Sequence, residues 1–512
     1  MSPSFSWSDY QHSIFDFVAN GSGHGLITAR AGAAKTSTIV EAVKRLARAK
    51  GMRVLYLAFA AHDSAALKAR LPKSISVMTT HVFGLTRLRQ KDAFGWPLVA
   101  DEGSRVMRRW IADELDGMAA GAQVEMSELL ALAKAWMVDP RDLDALTEFA
   151  RENQCSGHEY ASIETWITAT SALMLRAFTP GSLDRTNARG EIEAVRCVTF
   201  DDMVWLPSAM KLSFTKPYDL VLVDETQDLT RAQHQLVLSA AGPSGRILAV
   251  GDDRQCIYSF RAADTGSMER LRTLLTPSDF SLPICYRCPK SVVELAQQYV
   301  PDIEPRPDAP AGTVSHGHSQ TELVALAQPK QFVISRTNAA LVRVALALAR
   351  AGKRCVIRGR DIGGGLKSLL RQSGESTVSR FLPWLAAWTE KQLDELRKAM
   401  GDGIASVRSA ARRQREIEDR VATLRTLCDG LNDLSQVAAR VDRLFAEPDA
   451  AADEDRVILL STHKAKGLEA HTVWLLDTTY KPDESQEEAN LYYVAITRAL
   501  DTLRIVATDY NR

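Results

Sequence analysis

Three short stretches hold the residue types that phosphate chemistry needs. The first, "ITARAGAAKTSTIVEAV" at residues 27–43, reads as a strand, a turn of small residues, then Lys35-Thr36 opening a helix. Backbone N–H groups in such a turn, with the positive end of the following helix, hold phosphate oxygens. Lys35 would reach the β- and γ-phosphates, and the Thr36 hydroxyl would bind Mg2+. Two positions usually held by glycine are Ala29 and Ala34. On this stretch alone, an ordinary strand–turn–helix explains the pattern equally well. The second stretch, "YDLVLVDETQD", is an apolar strand ending in Asp224-Glu225. Carboxylates at the carboxyl end of a parallel strand stand where such sheets bind ligands. Asp224 suits holding Mg2+ through water, and Glu225 suits polarising an attacking water. The bland alternative is a solvated acidic loop. The third, "AVGDDRQCIYSFRAA", also leaves a strand. Its Gln255 would sense a γ-phosphate, while Tyr258, Phe260 and Arg261 face outward to stack on bases and grip phosphate. Taken singly, such a segment is more often core aromatics beside a surface arginine.

The elements that position these residues alternate. Up to about residue 90, strand-like runs such as "RVLYLAFA" alternate with helical ones, the arithmetic of an α/β fold with a parallel sheet. From about 90 to 195 the pattern is helical and strand-poor. Strands return at "YDLVLVDE" and "RILAVGDD", and a second α/β region starts near 281. Residues from about 375 to 450 are helical and highly charged, and buried strands follow at "RVILLS" and "HTVWLLD". The expected fold class is α/β: two lobes with parallel sheets, each carrying a helical insertion. The first lobe is assigned to 1–90 and 195–280 with its insertion at 91–194. The second is assigned to 281–374 and 451–512 with a small insertion at 375–450.

Bulk properties narrow the classes. The chain has 512 residues, 46% hydrophobic and 25% charged, and its formal net charge is zero. A polyanion must therefore be held by a local basic surface and not by the global field. Seven cysteines spread thinly fit a reducing compartment, not a disulfide framework. The opening "MSPSFSWSDY" lacks the basic and apolar regions of a signal peptide, and no apolar run is long enough to span a membrane. The expected location is the cytoplasm of a bacterial or phage-infected cell, including association with the nucleoid. Cys285-x-x-Cys288 has zinc-like spacing, but no second pair accompanies it. Eight basic residues and one acidic residue between Leu341 and Arg371 read equally as a DNA-facing stripe or a solvated face. The charged helices of 375–450 read as a partner- or duplex-contacting arm, or as an exposed hairpin laced by i,i+4 ion pairs.

The joint pattern resembles the UvrD/Rep-like superfamily 1 helicases from end to end. Gln11 in "SDYQHSIFDFV" matches the family's adenine-reading glutamine. "LAFAAHDSAALKARL" resembles the first strand-gripping motif, with Phe59 at its stacking position, and "TTHVFG" places His81 at the next DNA-side motif. "TFDDMVWLP" is similar to a further family segment. In "LPICYRCP", Tyr286 would stack on adenine and Arg287 would reach the γ-phosphate. "STHKAKGLEAHTVWL" supplies Glu469 for the ribose, with His463 and Lys464 toward DNA, and "LYYVAITRA" supplies Arg498 as a second finger. The family's loop usually reads A-x-A-G-x-G-K-T, so Ala29, Ala31 and Gly32 fit and only Ala34 departs. If position 34 must be left-handed, alanine there costs roughly 1–2 kcal/mol but removes no hydrogen-bond donor.

The resemblance implies two RecA-like P-loop NTPase lobes with ATP and Mg2+ between them. Nucleotide would be held by Gln11, Ala31, Gly32, Ala33, Ala34, Lys35, Thr36, Ser37, Tyr286 and Glu469, and the metal by Thr36 and Asp224. Catalysis would fall to Lys35, Glu225, Gln255, Arg287 and Arg498. Phe59, His81, Tyr258, Phe260, Arg261, His463 and Lys464 would touch DNA. The implied partner is single-stranded DNA or a single-strand/duplex junction, with a protein loading partner. A monomer is expected without DNA. The implied activity is an ATP-driven helicase or translocase moving 3′→5′ in replication, recombination or repair. The alternatives are a translocase that clears DNA-bound proteins with little unwinding, and a non-hydrolysing scaffold disabled by Ala34. The small insertions, and the chain end soon after the Arg498 helix, resemble compact phage or plasmid members and the core of F-box DNA helicases.

Overall fold

The computed structural model describes residues 6–46, 51–59, 61–90, 98–99, 103–115, 120–153, 155, 157, 160–178, 182–186, 192–212, 216–257, 266–401, 407–446 and 452–508. These form two compact units. The first runs to Leu282 apart from four loop residues, Arg30–Ala33; the second takes those four and the described residues from Pro283 onward.

The first unit is built on strands β1 (Gly25–Ala29), β2 (Val54–Ala58) and β3 (Ser76–Thr79), then β7 (Leu220–Val223), β8 (Arg246–Gly251) and β9 (Ser278–Leu282). They form one parallel sheet in the order β3-β2-β7-β8-β1-β9. β2 and β7 are apolar runs buried at every residue, as expected of strands covered on both faces. The covering helices are α1 (Asp9–Asn20), α2 (Lys35–Leu46), α3 (Ala61–Arg70), α4 (Thr80–Gln90), α9 (Asp202–Ala209), α10 (Arg231–Ala241) and α11 (Ser267–Leu275).

Between α4 and α9 lies the first insertion, with helices α5 (Gly103–Glu114), α6 (Ala120–Trp136), α7 (Leu143–Glu152) and α8 (Ile163–Arg176). It also contains a three-stranded sheet of β4 (Leu98–Val99), β5 (Ser182–Thr186) and β6 (Ile192–Cys197), with β5 and β6 antiparallel. The strand-poor reading of this region missed that hairpin. "SLDRT" and "IEAVRC" are short and carry charges, so they lack the apolar run that marks a buried strand. The insertion's core, including Leu129, Trp166 and Leu173, is continuous with Leu88 of α4 and Trp205 and Leu206 of α9. A buried ion pair, Lys134 Nζ to Asp202 Oδ1 at 2.6 Å, also joins α6 to α9.

The second unit opens with the short parallel pair β10 (Ile284–Cys285) and β11 (Glu304–Pro305). Its main sheet is parallel throughout and ordered β12-β18-β17-β13-β16-β14-β15. The strands are β12 (Thr313–His318), β13 (Phe332–Ser335), β14 (Cys355–Arg358), β15 (Phe445–Ala446), β16 (Val457–Ser461), β17 (Ala470–Leu476) and β18 (Ala499–Val506). The helices are α12 (Lys290–Ala296), α13 (Gln320–Leu326), α14 (Asn338–Arg350), α15 (Arg360–Gln372), α16 (Val378–Gly401), α17 (Val407–Cys428), α18 (Leu434–Leu444), α19 (Thr462–Ala465) and α20 (Gln486–Ile496). Helices α16–α18 are not a free arm. Phe381, Leu385, Val421, Leu424 and Val437 share one core with Val333, Leu459 and Trp474 of the sheet. Among the described residues, no helix is long and apolar enough to cross a membrane.

Candidate nucleotide and DNA site

In the first unit the candidate residues collect at the carboxyl ends of parallel strands, the edge where open α/β sheets bind ligands. β1 runs into the small-residue turn, where Gly32 has φ +69° and Ala34 has φ +56°, both left-handed. Helix α2 starts at the next residue, Lys35. The Ala34 carbonyl accepts from the Thr38 N–H at 2.9 Å and from its hydroxyl at 3.0 Å. That hydroxyl in turn accepts from Gln11 Nε2 at 2.8 Å. Gln11 is fully buried, and its Oε1 takes the Ser8 N–H at 3.0 Å to close a capping box on α1. The expected adenine reader thus braces the turn through Thr38. Ser37 Oγ accepts from Arg70 at 3.1 Å.

β7 delivers Asp224 and Glu225, the latter also left-handed at φ +49°. Lys35 Nζ lies 2.9 Å from Glu225 Oε1. One oxygen of Asp224, Oδ2, accepts from Tyr56 Oη of β2 at 3.0 Å and from Thr36 Oγ1 at 3.4 Å. Burial works against the charge on Lys35, but Glu225, Asp224 and Asp252 outweigh it and hold its pKa above the ordinary value. Burial, then the charge of Glu225, push Asp224 up to about 6, against the pull of Lys35 and the Tyr56 hydroxyl. A mostly buried lysine among carboxylates, beside a small-residue turn at a helix N-terminus, fits a magnesium-bound triphosphate. A divalent cation there would relieve the Asp224–Glu225 repulsion, and phosphate oxygens would take the place of Glu225 on Lys35.

β8 ends at Gly251 and leads to Asp252 and Gln255. Gln255 Nε2 donates to Asp252 Oδ2 at 2.7 Å. Sequence reading overlooked Gln227, which donates to Glu225 Oε2 at 2.6 Å and accepts from the Asp252 N–H at 3.0 Å. The "DETQD" string contained it, but only the fold shows what its amide reaches.

The residues of this unit expected to face DNA stand at the ends of β2 and β3. Phe59 is exposed. His81 stacks on Phe200, with ring centroids 3.8 Å apart and planes at 23°. Burial pushes the His81 imidazole down to about 4, so it is neutral at pH 7. Phe200 is 59% exposed and offers its ring to solvent. It sits in "TFDDMVWLP" and sequence reading passed over it; an aromatic just before the Asp201-Asp202 pair that opens α9 was the available signal. Tyr258, Phe260 and Arg261 lie outside the described residues.

Within the second unit, Arg287 Nε pairs with Glu469 Oε2 at 2.7 Å. Arg498 is buried; it donates to the Val494 carbonyl at 2.8 Å and the Leu468 carbonyl at 3.3 Å. Burial and the charge of Arg287 bring Arg498 down to about 10, so it keeps its charge at neutral pH. The Gly32 carbonyl accepts from the Tyr286 N–H at 2.9 Å, and the Ala31 N–H donates to Tyr493 Oη at 2.8 Å. The Ala33 N–H closes the turn onto the Arg30 carbonyl at 3.0 Å. His463 and Lys464 follow β16 on α19, and Lys464 Nζ lies 2.9 Å from both oxygens of Asp361. Cys285 and Cys288 are buried free thiols, and no cluster of three or more His, Cys, Asp or Glu with metal-site geometry exists among the described residues. In the basic run from Leu341 to Arg371, Arg350, Arg354, Arg358 and Lys367 pair with Asp429, Asp455, Asp453 and Asp442. At least half of that stripe is therefore paired with carboxylates.

Comparison with known proteins agrees with the motif pattern. Residues 11–275 match the UvrD/REP helicase N-terminal domain, and residues 376–510 match the UvrD-like helicase C-terminal domain. The chain is 24% identical to the ATP-dependent DNA helicase UvrD2 of Mycobacterium tuberculosis, over 92% of this chain and 75% of that protein. It is 22% identical to the ATP-dependent DNA helicase Rep of Escherichia coli, over 49% of this chain and 37% of Rep. It is 25% identical to F-box DNA helicase 1 of Gallus gallus, over 60% of this chain and 31% of that protein.

Proposed function

Because this chain belongs to the UvrD/Rep helicase family, we propose that it is an ATP-dependent motor on single-stranded DNA, moving 3′→5′ and separating duplex at junctions. The observation that carries the reading is the convergence of Lys35, Thr36, Asp224 and Glu225 at one sheet edge. Thr36 and Asp224 would hold Mg2+, which supplies charge neutralisation between phosphate oxygens. Lys35 binds the β- and γ-phosphates, and Glu225, freed from Lys35, accepts a proton from the attacking water. Gln255 reads the γ-phosphate. Arg287 and Arg498 of the second unit neutralise charge developing on it, while Tyr286 and Glu469 orient the nucleoside. Loss of the γ-phosphate removes the contacts that distinguish the ATP-bound state, which is how hydrolysis alters the grip on DNA.

Phe59 and the His81–Phe200 stack are the exposed base platforms of the first unit; Lys464 serves the second. Stacking on an aromatic is worth roughly 1–3 kcal/mol per base. A duplex stacking step averages about 1.4 kcal/mol, so one ring competes with one step of duplex. The scaffold alternative rests on Ala34. Its φ of +56° puts alanine in the conformation glycine favours, but alanine removes no backbone N–H, which supports a loop that still binds phosphate.

The test pairs two assays on wild type and Lys35→Ala. ATP hydrolysis should rise with single-stranded DNA and vanish in the variant. Partial duplexes with a 3′ tail should be unwound, and those with a 5′ tail should not. Hydrolysis without strand separation would support the protein-clearing translocase. Hydrolysis unaffected by Lys35→Ala would overturn the site assignment.

A further inference from the structure

The base and the γ-phosphate sensor leave different strands, β7 and β8. A continuous chain of side chains joins them. Gln227 Nε2 donates to Glu225 Oε2 at 2.6 Å, and Gln227 Oε1 accepts from the Asp252 N–H at 3.0 Å. The Asp252 carboxylate then takes Gln255 Nε2 at 2.7 Å and the Arg254 N–H at 3.2 Å. Gln227, Asp252 and Gln255 are all buried, and the two bonds made by Asp252 to the glutamine side chains are shielded from water, while the Glu225 end is partly exposed. The amide has one possible orientation, since a flip would face its oxygen to the Glu225 carboxylate and its NH2 to the Asp252 N–H.

Gly251 fits this arrangement. A Cβ there would lie 2.6 Å from Gln227 Oε1 and 3.1 Å from the Gln227 backbone nitrogen, so a side chain at 251 would push the Gln227 amide out of this position. We infer that Gln227 is a positioning residue that holds Glu225 and Gln255 in one fixed geometry through Asp252. Lys35 holds the other oxygen of Glu225, Oε1, at 2.9 Å. When phosphates engage Lys35, Gln227 still fixes Oε2, which leaves Oε1 turned to the water. Asp252 meanwhile presents Gln255. The inference rests on the proposed ATP hydrolysis and adds the residue that registers its two polar groups.

The test uses Gln227→Met, which keeps length and loses both hydrogen bonds, and Gly251→Ala, which crowds the amide. DNA-stimulated kcat should fall at least about tenfold in each, with KM for ATP within about threefold. Adding Gln255→Ala to Gln227→Met should cost far less than the product of the two single effects, because both act through one unit. In nucleotide-free protein, hydrogen exchange of the peptide spanning residues 251–257 should quicken about tenfold in Gln227→Met as the Asp252 amide loses its acceptor. Wild-type kcat, multiplicative effects or unchanged exchange in Gln227→Met would overturn the inference. If Gly251→Ala fails to fold, Gln227→Met decides. A wild-type protein that does not hydrolyse ATP would sink the proposed function instead, and the exchange measurement would still judge the relay.

Discussion

Ala34 sets the residue-scale question, because its left-handed backbone is the conformation glycine adopts without cost. The position is held by the Gln11–Thr38–Ala34 chain, so the strain is borne locally. Ala34→Gly relieves about 1–2 kcal/mol in the folded loop and returns about 0.4–1 to the unfolded chain's entropy. The expected outcome is a slightly higher melting temperature and kcat/KM for ATP raised by no more than about tenfold, read by calorimetry and steady-state kinetics. His81 gives a pH prediction. Its folded pKa of about 4 lies below the ordinary 6.5, so the unfolded chain binds the proton first. Its contribution is therefore complete above pH 6.5 and is lost as pH falls toward 4, to the extent of about 3 kcal/mol. The melting temperature of wild type should fall more steeply than that of His81→Gln across this window; parallel curves would contradict the burial argument. Most of these residues were legible from motif order, because each side chain's chemistry is tied to a strand end. Gln227 and Phe200 were not, because their roles depend on neighbours supplied by other elements.

At the scale of elements, α17 shows what charge patterning leaves open. Its exposed face carries the expected i,i+4 pair Arg412–Glu416. Two other residues tie it to neighbouring elements. Asp419 accepts from the N–H groups of Asn338 and Ala339 at 3.1 and 3.0 Å, capping α14 from outside the helix. Arg415 reaches Glu484 and Glu488, the second of which also binds Arg336 at the end of β13. Asp419→Ala should destabilise the second unit by about 1–2 kcal/mol, with faster hydrogen exchange at the start of α14. An unchanged melting temperature and exchange would mean the cap is idle. The buried strands were readable because parallel strands are apolar on both faces. The β5–β6 hairpin was not, since its short charged strands lack that signal.

At the scale of the molecule, two units each carry a wholly parallel sheet, and each unit brings a different share of the expected chemistry. The first holds the lysine, the carboxylates and the exposed rings; the second holds the arginine–glutamate cluster. That division was visible in the sequence as motif order. The pairing of the basic stripe was not, because its acidic partners lie roughly 80–100 residues away in the chain. The claim on which the account depends is that Glu225 activates water at a nucleotide held by Lys35, in response to DNA. The most direct measurement is single-turnover phosphate release from ATP, with and without single-stranded DNA, in wild type and Glu225→Gln. The account predicts DNA-accelerated release in wild type, and in Glu225→Gln a loss of at least about a hundredfold with nucleotide binding preserved. Equal release by the two proteins, or release indifferent to DNA, would contradict it.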